Sequence, residues 1–382
     1  MCAVGIIVEF NPFHNGHGVH LAESREISGR RRVVAVMSGN FVQRGEPALC
    51  DKWRRTKMAL LAGVDIVIEL PLPYVIGGAD YFARGSVGLL AATGIVDALS
   101  FGSECGDLEV IKAAGKVLAE EPPAYKEALR SELSAGKSFA AARGLALERI
   151  LAAGGFSLPE GLLTKPNNGL AMEYCKAVCL PGNPMEIFTT HRISGGPSAT
   201  KIRRAFRNGE SVRGLLPDFA HEILVDAPIA SLDDFSDIFK YLVYRGDCKL
   251  SEGLGNRFQR LCGEHRSISN LLSAVKTKRY TFTRLQRTVL GVILGVTPPE
   301  ADAPYIRVLG FRKDSSDLLG RMTKKASLPV ITSGAALDEM LSQGGAAGKM
   351  LSQELEAGDI YRLASGAGGG FRSERGVGVV VV

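Results

Sequence analysis

The first half of the chain predicts an α/β fold, a parallel sheet with crossover helices, and the second half predicts a mostly helical C-terminal domain. Three observations carry this. Short apolar runs alternate with helical patterns as far as about Arg207, the signature of βαβ units. Each run ends in a polar or glycine-rich stretch, and beyond Arg207 helical periodicity takes over.

Strands are predicted over residues 3–8, 33–37, 65–69, 98–101 and 187–190, followed by loops at 11–16, 38–40, 71–73, 102–104 and 191–197. In open α/β sheets, ligands bind at the carboxyl ends of strands, so these loops are where a site belongs. Helices are predicted over 51–62, from Trp53, Met58, Leu60 and Leu61, and over 79–92. Residues 108–153, rich in Ala, Glu, Lys and Leu, read as an inserted helical pair. After a boundary near Gly209, which divides the chain into 1–208 and 209–382, helical periodicity covers 233–245, 267–273 and 283–294. Short apolar pieces stand at 305–309 and 328–332. The tail from Ser365 holds Gly366, Gly368, Gly369 and Gly370 and reads as a mobile connector, with 377–382 as a terminal edge strand.

Bulk properties narrow the classes. The 382 residues suffice for two domains, and 46% hydrophobic with 23% charged residues suits a water-soluble globular chain. A net charge of +6 admits an acidic partner such as nucleic acid or a nucleotide. No uncharged run approaches the roughly 20 residues a membrane-spanning helix needs. The N-terminus leads directly into an apolar strand, without the pattern of a secretion signal. Seven cysteines (Cys2, Cys50, Cys105, Cys175, Cys179, Cys248, Cys262) are scattered without a Cys-x-x-Cys pair, which fits thiols in a reducing cytoplasm better than a metal cage.

The most informative stretch follows the first strand: Glu9-Phe10-Asn11-Pro12-Phe13-His14-Asn15-Gly16-His17-Gly18-Val19-His20. Three of the six histidines lie here. His14 and His17 are three apart, so on a first helical turn both rings face one side and can flank one phosphoryl group, at the end of a helix that already attracts anions. Asn11-Pro12 sets the turn, and Gly16 admits close backbone approach. A second element, Ser194-Gly195-Gly196-Pro197-Ser198-Ala199-Thr200-Lys201-Ile202-Arg203, joins a strand to a helix with Ser198 as N-cap. Its hydroxyls, amides and the cations Lys201 and Arg203 suit β- and γ-phosphates. A P-loop and a Gly-x-Gly-x-x-Gly turn after a strand are both absent from the sequence.

His14-Asn15-Gly16-His17 resembles the His-x-Gly-His signature of the nucleotidyltransferase superfamily that includes class I aminoacyl-tRNA synthetases, and Ser198–Arg203 is similar to its Ser/Thr-x-Ile-Arg phosphate motif. Ile7–His17, Met37–Pro47, Lys165-Pro166-Asn167-Asn168 and Thr277–Arg287 resemble the bacterial tRNA(Met) cytidine acetate ligases more narrowly. The resemblance implies a Rossmann-like parallel sheet of the HIGH nucleotidyltransferase type. It implies an enzyme that activates acetate with ATP and Mg2+ and acetylates N4 of the wobble cytidine of elongator tRNA(Met). It also implies ATP contacts along Ile7, Val8, Glu9, Phe10, Asn11, Pro12, Phe13, His14, Asn15, Gly16, His17, Gly18, Val19 and His20, with further contacts at Gly102, Asn167, Arg192 and Ile193 beside Ser198, Thr200, Lys201 and Arg203. His14 and His17 are the expected catalytic pair. One departure is the short stretch from Ser194 to Pro197, where the family carries a longer loop.

Lys276, Lys278, Arg279, Arg284 and Arg287 surround Tyr280 and Phe282 with no acid among them, a pattern able to hold phosphates and stack on unpaired bases. Lys52, Arg54, Arg55 and Lys57 form a second basic cluster that would extend this track. The sequence keeps two other functions open: a nucleotidyltransferase joining a nucleotide to a small phosphorylated metabolite, and an RNA-binding module without turnover.

Overall fold

The computed structural model describes residues 3–180, 182–183, 185–192, 198–246, 250, 253–277, 280–366 and 373–382. The five expected strands form, interrupted by one small hairpin. They are β1 (Ala3–Val8), β2 (Arg32–Ser38), the hairpin strands β3 (Phe41–Val42) and β4 (Glu46–Pro47), β5 (Ile66–Leu70), β6 (Val96–Ser103) and β7 (Glu186–His191). In the large sheet the order β5-β2-β1-β6-β7 is parallel throughout. The chain steps outward from β1 to β2 and β5, then crosses to the other side with β6 and β7. This reversal opens a crevice at the carboxyl ends of β1 and β6.

Both faces of the sheet are covered, which is why the strands read as continuous apolar runs. Val34, Val36, Ile66 and Ile68 belong to one core, while Val33, Ala35, Met37 and Val67 belong to the other. The covering helices are α1 (Asn15–Ser28), α2 (Lys52–Leu61), α3 (Leu72–Gly77) and α4 (Ala79–Ala92). The insertion expected as a helical pair contains three helices, α5 (Leu108–Glu120), α6 (Pro123–Ser134) and α7 (Phe139–Ala153), and is followed by α8 (Pro166–Val178). Side-chain caps start several of them: Asp51 accepts from the Arg54 amide at α2, and Asp107 accepts from the Glu109 and Val110 amides at α5.

After α9 (Ala199–Arg207) the chain is mostly helical, with α10 (Asp218–Val225), α11 (Ser236–Arg245), α12 (Leu254–Cys262), α13 (Ile268–Val275) and α14 (Phe282–Leu294). It then returns to the sheet. β8 (Ile306–Phe311) runs antiparallel along β5, and the sheet is therefore mixed rather than wholly parallel. The reason is physical: the open edge of β5 would leave a row of unpaired amides and carbonyls, and the backbone of β8 pairs with it while Ile306, Val308 and Leu309 are buried in the core. α15 (Ser316–Lys325), β9 (Val330–Ile331), α16 (Gly334–Gln343), α17 (Gly345–Ala364) and β10 (Val380–Val381) follow. β9 and β10 share the outer edge of β8, so the expected terminal edge strand is present. The expected connector at Gly368, Gly369 and Gly370 lies outside the described residues. Phe235, Phe239, Phe258 and Leu271 of the C-terminal helices share one core with Val36 and Ile68, so the boundary near Gly209 does not divide the hydrophobic core.

A buried ionic cluster pins these C-terminal segments to the sheet. Glu69 and Arg307 are register partners across β5 and β8, 2.9 Å apart between Oε2 and Nη1. Lys52 Nζ lies 2.6 Å from Glu69 and 2.8 Å from Glu374. Glu354 of α17 accepts the Leu72 amide. Lys52 and Arg55 are both 0% exposed, which removes them from the basic RNA track expected over Lys52, Arg54, Arg55 and Lys57, while Lys57 is exposed. The Arg55 guanidinium instead binds the carbonyls of Glu9, Ser38, Gly39 and Cys50, and Arg54 pairs with Asp51. Among the described residues, no helix is long and apolar enough to cross a membrane.

Candidate active site

At the carboxyl end of β1 the backbone turns sharply. Phe10 takes φ +44°, a conformation rare for a bulky side chain, and the Asn11–Pro12 peptide is cis. The side chains of Phe10, Pro12 and Phe13 are buried, so this turn presents its backbone and the imidazoles rather than its aromatics. The Asn11 side chain accepts from the Leu49 amide at 2.7 Å, fixing the turn on the segment after the hairpin.

His14 is the N-cap of α1 and His17 lies in its first turn. Their rings stack with centroids 3.7 Å apart and planes 19° apart, as the three-residue spacing predicts. A Cβ at Gly16 would sit 3.0 Å from His14 Cε1, so glycine here makes room for the ring. The Phe10 and Phe13 rings flank His17 at 5.0 and 5.6 Å. Burial, reinforced for His14 by the Arg192 charge, pushes its pKa down to about 4, and burial followed by the His14 charge holds His17 well below the usual imidazole range. His20, bonded to Thr190 Oγ1 at 2.8 Å, is lowered to about 4 by burial and then by Arg192. All three are therefore neutral at pH 7. His17 Nδ1 accepts the His14 amide at 3.2 Å, and the neutral ring must then carry its proton on Nε2 as a donor. Among the described residues, His14 Nδ1 is buried without a hydrogen-bond partner.

The first turn of α1 is less open than its position suggests. The Asn15 amide donates to the Leu215 carbonyl at 3.1 Å and the Asn15 side chain to the Gly214 carbonyl at 2.8 Å. Val19 is exposed, and a Cβ at Gly18 would meet no neighbour within 4 Å. Glu9 is raised by burial, against the pull of the Gln43 amide and then of Arg55, Arg44 and Arg203.

Three residues far apart in sequence converge across the crevice. A Cβ on Gly102 would meet Arg192 Cγ at 3.0 Å, and Arg192 Nη1 reaches Asn167 Oδ1 at 3.5 Å. Asn167 is held by Glu104, whose carboxylate accepts from its side chain at 2.6 Å and from the Asn167 and Asn168 amides at 3.3 and 2.8 Å. Glu104 and Asn168 were not singled out in the sequence as site residues. Their signal is the Pro-Asn-Asn start of α8, where a carboxylate favours the helix N-terminus.

The second phosphate motif touches the first. Ser198 caps α9 by accepting the Lys201 amide at 3.3 Å, Arg203 Nη2 donates to Thr200 Oγ1 at 3.4 Å, and Arg203 Nη1 donates to the Asn11 carbonyl at 2.9 Å. Thr200 and Lys201 are exposed. Ile193 and the short stretch from Ser194 to Pro197 lie outside the described residues. Of the residues expected to contact RNA, Lys276 and Arg284 are exposed and Arg287 is half-buried, while Lys278 and Arg279 lie outside the described residues. Tyr280 departs from expectation. Its ring is buried in the core with the Arg284 guanidinium 5.2 Å above its centroid, so it is not presented for stacking on a base.

The HIGH Nucleotidyl Transferase family matches residues 1–370. A protein of Thermoanaerobacter sp. named tRNA(Met) cytidine acetate ligase is 41% identical over 370 residues, covering 90% of this chain and 91% of that protein. A protein of the same name from Caldanaerobacter subterraneus is 42% identical over 362 residues, covering 88% and 89%. Among solved structures, Thermotoga maritima TmcAL in apo form superposes with a TM-score of 0.92 at 32% identity over the whole of both chains. The same protein bound with alpha-thio ATP gives 0.87 at 34% identity, covering 95% of this chain and 94% of that one. The stacked imidazoles at the start of α1, the capped α9 beside them and this similarity agree, and the chain belongs to the HIGH nucleotidyltransferase family.

Proposed function

We propose that this chain is an ATP-dependent tRNA(Met) cytidine acetate ligase. The observation that supports this reading most is the neutral imidazole pair at the sheet's crevice, with one ring bound to present Nε2–H and the other holding a buried Nδ1 without a partner among the described residues. An acetate oxygen attacks the α-phosphorus of ATP, the bond to the β-phosphate breaks, and pyrophosphate leaves. Acetate is ionised at pH 7 and needs no base. His14 and His17 act on the α-phosphoryl oxygens, where charge develops. Lys201 takes the departing pyrophosphate, while Arg203, already committed to the Asn11 carbonyl, holds the turn and lends its charge. Mg2+ carried in with the triphosphate would add to the neutralisation of its charge. Gly102, Asn167 and Arg192 form the nucleoside end.

In the second step the N4 amine of the wobble cytidine of elongator tRNA(Met) attacks the acyl carbon and AMP leaves. Residues 1–208 carry the ATP chemistry, and the exposed Lys276 and Arg284 with the half-buried Arg287 contribute RNA contacts from 209–382. We assign the protein to the cytoplasm, where its substrates occur. The test incubates the protein with ATP, labelled acetate and total tRNA, then digests the RNA. Label on N4-acetylcytidine supports the proposal. Pyrophosphate release that needs a phosphomonoester rather than acetate favours nucleotidyl transfer to a small metabolite instead.

A further inference from the structure

Glu46, the first residue of β4, connects the two halves of the proposed enzyme. Its Oε1 accepts from Gln286 Nε2 of α14 at 3.0 Å, and its Oε2 lies 3.6 Å from Arg203 Nη2. Arg203 passes the connection on, because its other terminal nitrogen donates to the Asn11 carbonyl, three residues before His14. The hairpin makes a second connection, the Gln43 amide donating to Glu9 Oε1 at 2.7 Å. The hairpin also rests directly on α14. Gly45 stands at φ +82°, and a Cβ there would lie 2.4 Å from the Arg287 backbone nitrogen and 2.8 Å from the Gln286 carbonyl carbon. Gln286 and Arg287 are therefore the residues the hairpin touches, and Arg284 and Arg287 are the cations of the proposed RNA contact.

We propose that Glu46 is a positioning residue that couples RNA engagement on α14 to the ATP site. The proposal rests on the ligase reading and deepens it. Both carboxylate oxygens are committed, one to each half, so a shift of Gln286 moves the partner that holds Arg203. Arg203 is only 12% exposed in its side chain and faces Arg207 and Arg44 as like charges, with Glu9 as the other carboxylate. Without Glu46 the guanidinium has lost its nearest counter-charge and has reason to leave the Asn11 carbonyl. Coupling of this kind is reciprocal: RNA that tightens ATP binding is itself bound more tightly when ATP is present.

The test is acetate-dependent ATP–pyrophosphate exchange with and without saturating tRNA, in the full-length protein and in Glu46→Ala and Gln286→Leu, with melting curves on each. The coupling requires that tRNA shift the KM for ATP at least about threefold in the unmodified protein. Gln286→Leu is expected to abolish that shift while leaving KM without tRNA within about twofold. Glu46→Ala is expected to raise KM about tenfold even without tRNA and also to remove the shift. A shift that survives in either variant, or no shift in the unmodified protein, overturns the proposal. Should Glu46→Ala fail to fold, the shift in Gln286→Leu alone decides: its loss supports the coupling and its survival overturns it. Absence of acetate-dependent exchange in the unmodified protein overturns the ligase reading instead.

Discussion

Two groups of buried titratable side chains sit at the carboxyl edge of the same sheet, and they are built oppositely. Behind β5, Lys52, Glu69, Arg307, Glu354 and Glu374 neutralise one another within a few ångströms. Behind β1, His14 is buried and His17 and His20 are half-buried, with no carboxylate partner among the described residues, and burial with the nearby Arg192 charge keeps them neutral. The first group pairs its charges internally, and its five residues come from five segments of the chain. In the second, no opposite charge faces the rings among the described residues, and His14 Nδ1 has no hydrogen-bond partner among them. The difference separates a structural cluster from the proposed ligand site, although both lie where α/β sheets bind ligands.

Substitutions sharpen the contrast. Lys52→Met removes one partner from a closed cluster and is expected to cost about 3–5 kcal/mol in urea unfolding. If it costs under about 1 kcal/mol, the cluster is not what holds the C-terminal segments. The two groups also respond to pH with opposite sign. Imidazoles lowered in the folded state contribute stability that is present above the ordinary value of 6.5 and lost as pH falls towards 4. Burial and the Glu69 charge raise Glu354 to about 8, so the folded state binds a proton the unfolded chain has released, and stability falls as pH rises from about 5 through 8. Melting temperatures across pH 4–9 should show Glu354→Gln flattening the alkaline side and His14→Asn flattening the acid side. Exchange of those two effects contradicts the assignment. The smallest expected effect is at the surface: Arg284→Ala should weaken tRNA binding about threefold to tenfold and lower the salt slope by about one unit.

Much of this was legible in the sequence where the signal is local. The five strands of the first half, the placing of His14 and His17 at the start of a helix and the capping Ser198 follow from apolar periodicity and short-range turn chemistry. The same local reading went wrong at Lys52 and Arg55, because the groups that neutralise Lys52 include Arg307's partner Glu69 and the distant Glu374, some 322 positions away by numbering. A helix with basic residues in its first turn looks solvated until such partners are known. Tyr280 failed for a related reason, since aromatic residues beside cations pack inward as readily as they face a base. The return of β8 to an edge far back in the sequence has no local signal at all. Glu46 lay inside the recognised Met37–Pro47 stretch, but its two partners, Arg203 and Gln286, become visible only in three dimensions.

The most direct measurement is the rate of acetate-dependent ATP–pyrophosphate exchange in His17→Ala beside the unmodified protein, with ATP affinity and melting temperature recorded for both. A phosphoryl-stabilising ring predicts a fall of about 100- to 1,000-fold with folding intact and ATP still bound. Exchange within about threefold of the unmodified protein would show that the imidazole stack is a packing feature and that the chemistry lies elsewhere.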